Sequence, residues 1–264
     1  MTVGKLIPGP VKAGLLRRLN AAGYDLVPTL ERAPLPPDMA REPGFAAAYA
    51  RCRPFTMTSL ERMFAQYMAV RHVVKHGIPG DVVECGVWKG GSTMMAALTL
   101  LELGDTNRDL WLYDTFEGMS TPTERDVSTH TGEVAVESFS GYVKDGVTDW
   151  CYSPIDEVRH NVASTGYPAE RIHFVQGKVE DTIPGAIPER VALLRLDTDW
   201  YESTWHELVH LYPRLEAGGM LIVDDYGYWE GAREATDAYL AETGEPLYLA
   251  RIDSTGRVAV KPKR

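Results

Sequence analysis

The chain has 264 residues, 44% hydrophobic and 24% charged, enough for one large α/β domain or one domain with a small addition. Its formal net charge of -10 excludes the basic face that nucleic-acid phosphates require, and no run of 18 apolar residues is present to span a membrane. Three cysteines (Cys52, Cys85 and Cys151) without metal-ligand spacing, and a first ten residues without the apolar core of a secretory signal, suit a reducing cytoplasm.

Residues 1 to 55 read as a peripheral arm. Lys12–Ala22 has the pattern of a short amphipathic helix, which the Pro-rich stretch Ala33–Pro37 then interrupts. Docking of that leucine stripe on the body or on a neighbouring subunit fits better than membrane contact. Thr58 and Glu61 have the spacing of a capping box, so a helix is expected from there through Val74, stopped by Gly77 and Pro79.

The stretch Gly80–Thr93 (GDVVECGVWKGGST) reads as strand, Gly-rich turn and helix start. Gly86, Gly90 and Gly91 permit a ligand to approach the backbone, and the following helix N-terminus favours an anionic group. Ser92 and Thr93 are placed to cap that helix or to bind a carboxylate. The spacing is neither GxGxxG nor Walker A, because Lys89 precedes the last glycines. Glu84 at the strand end argues against a pyrophosphate and suits a ligand with an ammonium or another positive centre. The next strand, Asp109–Phe116, carries Asp114 some 24 residues beyond the turn, where nucleotide-binding sheets place an acid on ribose hydroxyls.

Residues 117–151 form a long polar connection containing His130, Glu137, Phe139, Tyr142 and Trp150. Its length and aromatic content suggest a lid over a substrate. A helix is expected from Ser153 as N-cap to Thr165, then a strand at Ile172–Gln176 whose following turn could hold an adenine ring by backbone contacts.

The strand Val191–Leu196 runs into Asp197 and Asp199, and after a helix from Tyr201 to Leu215 the run Gly219–Val223 delivers Asp224 and Asp225. Acids in such positions also serve as helix N-caps. Two neighbouring parallel strands would nevertheless bring four carboxylates to one sheet edge, where they repel unless a positive charge sits among them. A hard divalent cation such as Mg2+ answers that need with oxygen ligands. A helix from Trp229 to Thr243 and a hairpin of Pro246–Ile252 with Arg257–Lys261 close the chain. Seven strands, five alternating with helices, predict a doubly wound α/β sheet with one antiparallel strand.

The segments Val83–Ser92, Leu112–Gly118, Gly177–Asp181, Leu196–Ser203 and Asp224–Tyr226, in this order, resemble the macrocin O-methyltransferase family. Its members methylate deoxysugar hydroxyls of natural products such as macrolide and aminocoumarin antibiotics. The resemblance covers roughly residues 56 to 262 and implies a class I methyltransferase, Rossmann-like domain over 56–264, with S-adenosylmethionine as donor and Mg2+. Glu84, Gly86 and Ser92 would then bind the methionine part of the donor, with Met57 near it. Asp114 would hold the ribose, and Gly177, Lys178, Val179 and Glu180 would border the adenine. Asp197 would touch the donor and, with Asp224 and Asp225, ligate the metal. Asp199, beside Asp197, would be the catalytic base. A small-molecule glycoside acceptor and a homo-oligomer are further implications. A catechol or phenol methyltransferase, or a donor-binding protein without catalysis, are the other readings these residues admit.

Overall fold

The structure, a computed structural model, describes residues 35–144 and 147–263. The expected helix Lys12–Ala22 lies outside the described residues. The chain divides into two compact units, Met1–Arg41 and Glu42–Arg264. In the first, the described residues form one turn of helix, α1 (Pro37–Ala40). The second is the body, and it begins earlier than the expected arm boundary at residue 55. Its first helix, α2 (Pro43–Cys52), buries Phe45, Ala48 and Cys52 within it. The Phe45 ring meets Phe64 edge-on at 4.9 Å and Tyr67 at 5.5 Å.

The helix α3 (Leu60–Lys75) starts one residue later than the capping-box spacing suggests. Ser59, not Thr58, is the N-cap, and its hydroxyl accepts from Arg62 N at 3.1 Å. Strand β1 (Asp81–Cys85) and helix α4 (Gly91–Leu103) follow, then β2 (Leu110–Asp114). The long connection holds a short helix α5 (Ala135–Phe139) and a two-stranded hairpin, β3 (Val143–Lys144) with β4 (Val147–Thr148). Helix α6 (Ile155–Ala163) is capped at Pro154 rather than Ser153, whose buried hydroxyl takes no part in the cap. After it come β5 (Ile172–Gln176), the single turn α7 (Val179–Thr182), β6 (Val191–Leu196) and α8 (Tyr201–Leu211). Pro213 converts the expected end of α8 into a 3-10 turn. Strand β7 (Leu215–Val223) begins four residues before the apolar run, and α9 (Glu230–Thr243) follows. Of the expected strand Pro246–Ile252 only β8 (Ala250–Arg251) pairs, beside β9 (Arg257–Val260). Leu247 and Leu249 are used instead to cover the core.

The seven strands stand in the order β5-β2-β1-β6-β7-β9-β8. Five are parallel, and β9 alone runs against both of its neighbours. Strand β6 is buried along its whole length because helices cover both faces of the sheet. Alternation sends Val83, Cys85, Leu194, Leu196, Leu221 and Val223 to one face, where they pack with Leu208 and Leu211 of α8 and Tyr239 of α9. Glu84 and Arg195, adjacent in register, are directed to the opposite face, toward α3 and α4. Strand order reverses between β1 and β6. A doubly wound sheet opens its ligand crevice there, at the carboxyl ends of the strands.

Candidate active site

Three strand ends build the crevice. Beyond β1 the chain turns at Gly86, with φ of +82°. A Cβ at this position would overlap the Asp197 carbonyl, so only glycine lets the turn and the end of β6 lie together. Gly91 meets the Phe55 carbonyl in the same way, a Cβ being only 2.5 Å from it. Asp114, at the end of β2, holds the turn in place. Its Oδ2 accepts from Val87 N at 2.6 Å and Trp88 N at 3.0 Å, and its Oδ1 from Phe116 N at 2.7 Å and the Thr115 hydroxyl at 3.4 Å. All four acceptor positions of this carboxylate are thus used by the chain.

At the end of β6, Asp197 N donates to the Cys85 carbonyl at 2.8 Å, which fixes where its side chain leaves the sheet. Thr198 is held by buried Glu207 of α8 at 2.9 Å. Asp199 has φ of +70°, a left-handed conformation that costs a non-glycine residue energy and marks a position imposed by its surroundings. Among the described residues three others share this trait: Trp88, Phe116 and Cys151. Trp88 and Cys151 line the same cavity as Asp199, and Phe116 lies in the turn between two residues that do, Thr115 and Gly118. At the end of β7, Asp224 N donates to the Leu196 carbonyl at 2.9 Å, and the Asp225 carbonyl accepts from Tyr228 N and Trp229 N.

The result is a cavity of about 460 Å3. It is lined by Met57, Gly86, Ser92, Asp114, Gly177, Lys178, Val179, Glu180, Asp197, Asp199, Asp224 and Asp225, so every site residue expected from the sequence lines it except Glu84. Glu84 is buried behind the wall, where it accepts from the Thr93 hydroxyl and pairs with Arg195 at 2.9 Å.

The four acids expected at the strand ends all line this cavity, and three of them converge. Asp197, Asp199 and Asp225 each offer one oxygen, and the three lie within 4.8 Å of one another. Asp224 is turned away from this trio, because one of its oxygens binds Arg195 at 2.5 Å and the other binds Arg62. The three converging carboxylates are hard oxygen donors, Asp197 also pairing with Arg195 at 2.6 Å, and they fit a divalent ion. Burial raises the Asp199 carboxyl to about 7, and the neighbouring Asp197 charge adds to the effect. Burial also lifts Asp197 and Asp225 well above the usual carboxylate range, against the pull of Arg195 on Asp197. The Asp225 and Trp229 side chains beside Asp199 act the other way and favour its charged form.

Arg195 and Arg62 are the functional groups that sequence reading missed. A charged residue inside the otherwise apolar run Val191–Leu196 is itself a signal, since an arginine in a fully buried strand needs carboxylate partners. Arg62 gives no such sign, because one arginine on an amphipathic helix reads as solvated. The connection 117–151 contributes Met119, Ser120, Trp150 and Cys151 to the cavity, and Trp150 meets Trp200 and Trp229 edge-on and tilted, at 5.6 and 6.3 Å. His130 stays outside, against the ring of Tyr228 at 5.0 Å.

Residues 45–261 match the family model described as macrocin-O-methyltransferase. A relative from Streptomyces olivaceus is 36% identical over 209 residues, which cover 76% of this chain and 73% of the relative. It is named 8-demethyl-8-(2,3-dimethoxy-alpha-L-rhamnosyl)-tetracenomycin-C 4'-O-methyltransferase. The mycinamicin III 3''-O-methyltransferase of Micromonospora griseorubida is 32% identical over 201 residues, covering 76% of each chain. The solved structure of the O-methyltransferase NovP superposes with a TM-score of 0.70 at 30% identity, over 79% of this chain and 83% of that one.

Proposed function

Because the chain belongs to the macrocin O-methyltransferase family and is an S-adenosylmethionine-dependent O-methyltransferase, we propose that it methylates a sugar hydroxyl of a glycosylated natural product, with Mg2+ bound among its acids. The observation that carries the reading is the convergence of Asp197, Asp199 and Asp225 in the cavity that also contains the Gly86–Ser92 turn. One named relative acts on a rhamnosyl-tetracenomycin and the other on mycinamicin III, which supports a glycosylated natural product as acceptor and antibiotic biosynthesis as the setting.

In this proposal the donor lies over the Gly-rich turn. Met57, Gly86 and Ser92 border its methionine part, and Gly177, Lys178, Val179 and Glu180 border the adenine. Asp114 acts through the turn it staples rather than by a free carboxylate, and Glu84 acts through Thr93 and Arg195. Asp197 and Asp225, common to the expected and the observed acid sets, hold the cation. When bound, Mg2+ would lower the pKa of a coordinated sugar hydroxyl and fix its oxygen.

Asp199 takes the hydroxyl proton. One of its oxygens lies within 4.8 Å of an oxygen of each of Asp197 and Asp225, so it stands beside any hydroxyl that the cation would hold. Trp229 keeps it aimed, and Trp150 and Met119 of the lid keep bulk water off the reacting oxygen.

The test is transfer of a labelled methyl group from S-adenosylmethionine to a panel of deoxysugar glycosides and simple phenols, with and without excess chelator. Transfer to a glycoside that stops on chelation supports the proposal. Transfer to phenols alone overturns the acceptor, and full turnover in chelator overturns the cation.

A further inference from the structure

At the ends of β1, β6 and β7 two guanidinium groups meet the acids: Arg195 behind the cavity wall beside Glu84, and Arg62 in the lining with Asp197, Asp199, Asp224 and Asp225. The two arginines are held differently. Arg195 is 3% exposed and clamped by carboxylates from three strands, Glu84 at 2.9 Å, Asp197 at 2.6 Å and Asp224 at 2.5 Å. It cannot leave without stranding a buried charge. Arg62 reaches in from helix α3, is 15% exposed and lines the cavity itself. It binds the outer oxygen of Asp224 through Nη1, and its Nε lies 3.0 Å from Asp253, a residue of the β8–β9 turn that also accepts from Ser59 at 2.5 Å. Asp253 gives the guanidinium a second seat should it leave Asp224.

We propose that Arg62 is a placeholder for the divalent cation. In the metal-free protein it neutralises Asp224, and cation binding displaces it toward Asp253, freeing that Asp224 oxygen for the acid set expected from the sequence. The inference rests on the divalent-cation reading above. It accounts for the pairing of Asp224 with Arg62 beside the acid trio, and it assigns Arg62 a positioning role: setting how tightly the cation binds. A competing positive charge within contact distance weakens cation binding, so its removal should strengthen it.

The experiment is titration of the full chain with Mn2+ alone, free Mn2+ being read by electron paramagnetic resonance. Arg62→Gln should bind Mn2+ about tenfold more tightly than the wild type, in line with the loss of one nearby unit charge. Arg62→Lys, which keeps the charge, should remain close to wild type. Asp253→Asn, which removes the second seat, should shift affinity the opposite way. Arg71→Gln, on the same helix but paired with Glu42, should change nothing. The melting temperature of metal-free Arg62→Gln should fall and recover on saturation with Mn2+, by a larger margin than in wild type. A residue that merely supports the fold would lose affinity when replaced, not gain it. Unchanged or weaker binding by Arg62→Gln together with an unmoved Asp253→Asn overturns the placeholder. Absence of Mn2+ binding in every variant overturns the divalent-cation reading instead.

Discussion

Asp199 concentrates the chemistry of the site in one residue. Its left-handed backbone is held from both sides, by the Thr198–Glu207 hydrogen bond and by the buried Asp126 carboxylate, which accepts from Tyr201 N at 2.8 Å. Asp199→Asn keeps the shape and the contact with Trp229 but removes the base. Turnover should fall by about 10²–10⁴-fold, the usual worth of a positioned proton acceptor, while titration with S-adenosylhomocysteine gives nearly the wild-type affinity. A variant with more than a tenth of wild-type turnover would assign the base elsewhere. Asp253 makes a second residue-scale case, with a sign that can be worked out. Burial opposes its ionisation, but the Ser59 hydroxyl, the amides of Gly256 and Thr255, and Arg62 hold it at about 2. A carboxyl depressed in the folded state stabilises the fold fully above its unfolded value near 4, and that contribution is lost as pH falls toward 2. Asp253→Asn should therefore lower stability at pH 7 by about 1–2 kcal/mol, as expected for hydrogen bonds to a charged acceptor. Its denaturation midpoint should fall less steeply than the wild type's between pH 4 and 2. Parallel curves would show that Asp253 carries none of that acid sensitivity. The paired acids after β6 and β7 were legible because a strand pattern and a polar pair suffice to mark them. Their pairing with Arg62 and Arg195 was not, because it depends on where α3 crosses the sheet.

At the scale of elements, the connection 117–151, proposed as a lid, is pinned at its middle rather than only at its ends. Asp126 is fully buried and receives Thr123 N at 2.7 Å as well as Tyr201 N. Its neighbours Val127 and Thr129 bond to the chain leading into α9, Glu230 N to the Val127 carbonyl at 2.9 Å and Thr129 N to the Tyr228 carbonyl at 2.8 Å. The lid is thereby tied to the ends of both acid-bearing strands. Gly231, in the first turn of α9, is the position this junction requires, since a Cβ there would overlap the Asp126 carboxylate and come within 3.0 Å of Tyr201 N. Gly231→Ala should cost about 1–3 kcal/mol, as overpacking of a tight junction does. It should also speed hydrogen exchange of the amides from 123 to 135 more than those of β1 or β6. Uniform acceleration across the sheet would mean that the junction only stabilises the fold and does not anchor the lid. A long connection at residues 117–151 could be read from their polar composition. Its anchor could not, because a lone Asp in a polar loop and a lone Gly in a helix are unremarkable until folding brings them together. The closing strand at Pro246–Ile252 was overread for a related reason: Leu247 and Leu249 have the apolar character of a strand, but they cover the core.

For the whole molecule, the question is where the folded body begins. The Pro-rich composition before residue 40 suggested an arm extending to residue 55, because nothing in Pro43–Cys52 distinguishes a peripheral helix from one that packs. The structure does distinguish them. Phe45 is fully buried between Phe64 and Tyr67, Cys52 is fully buried, and Phe55 and Thr56 line the cavity and close over Gly91. A chain starting at Glu42 and a chain starting at Thr56 should therefore behave differently. The first keeps α2 and all the residues that line the cavity, so it should bind S-adenosylhomocysteine with measurable affinity. The second loses the burial of Phe45 and Cys52, and the loss of Phe45 alone is worth about 3–5 kcal/mol in a fold whose total stability is on the order of 5–15 kcal/mol. It should melt far lower and bind the product weakly or not at all. Calorimetry and product titration on the two truncations measure both effects, and light scattering on the same samples tests the proposal that the first residues hold subunits together. If the chain from Thr56 matched the chain from Glu42 in melting and binding, α2 would be a peripheral helix after all and the arm would extend to residue 55. If the chain from Glu42 kept its binding but lost an oligomeric state that the full chain has, assembly would lie with residues 1–41 and the active site with one body.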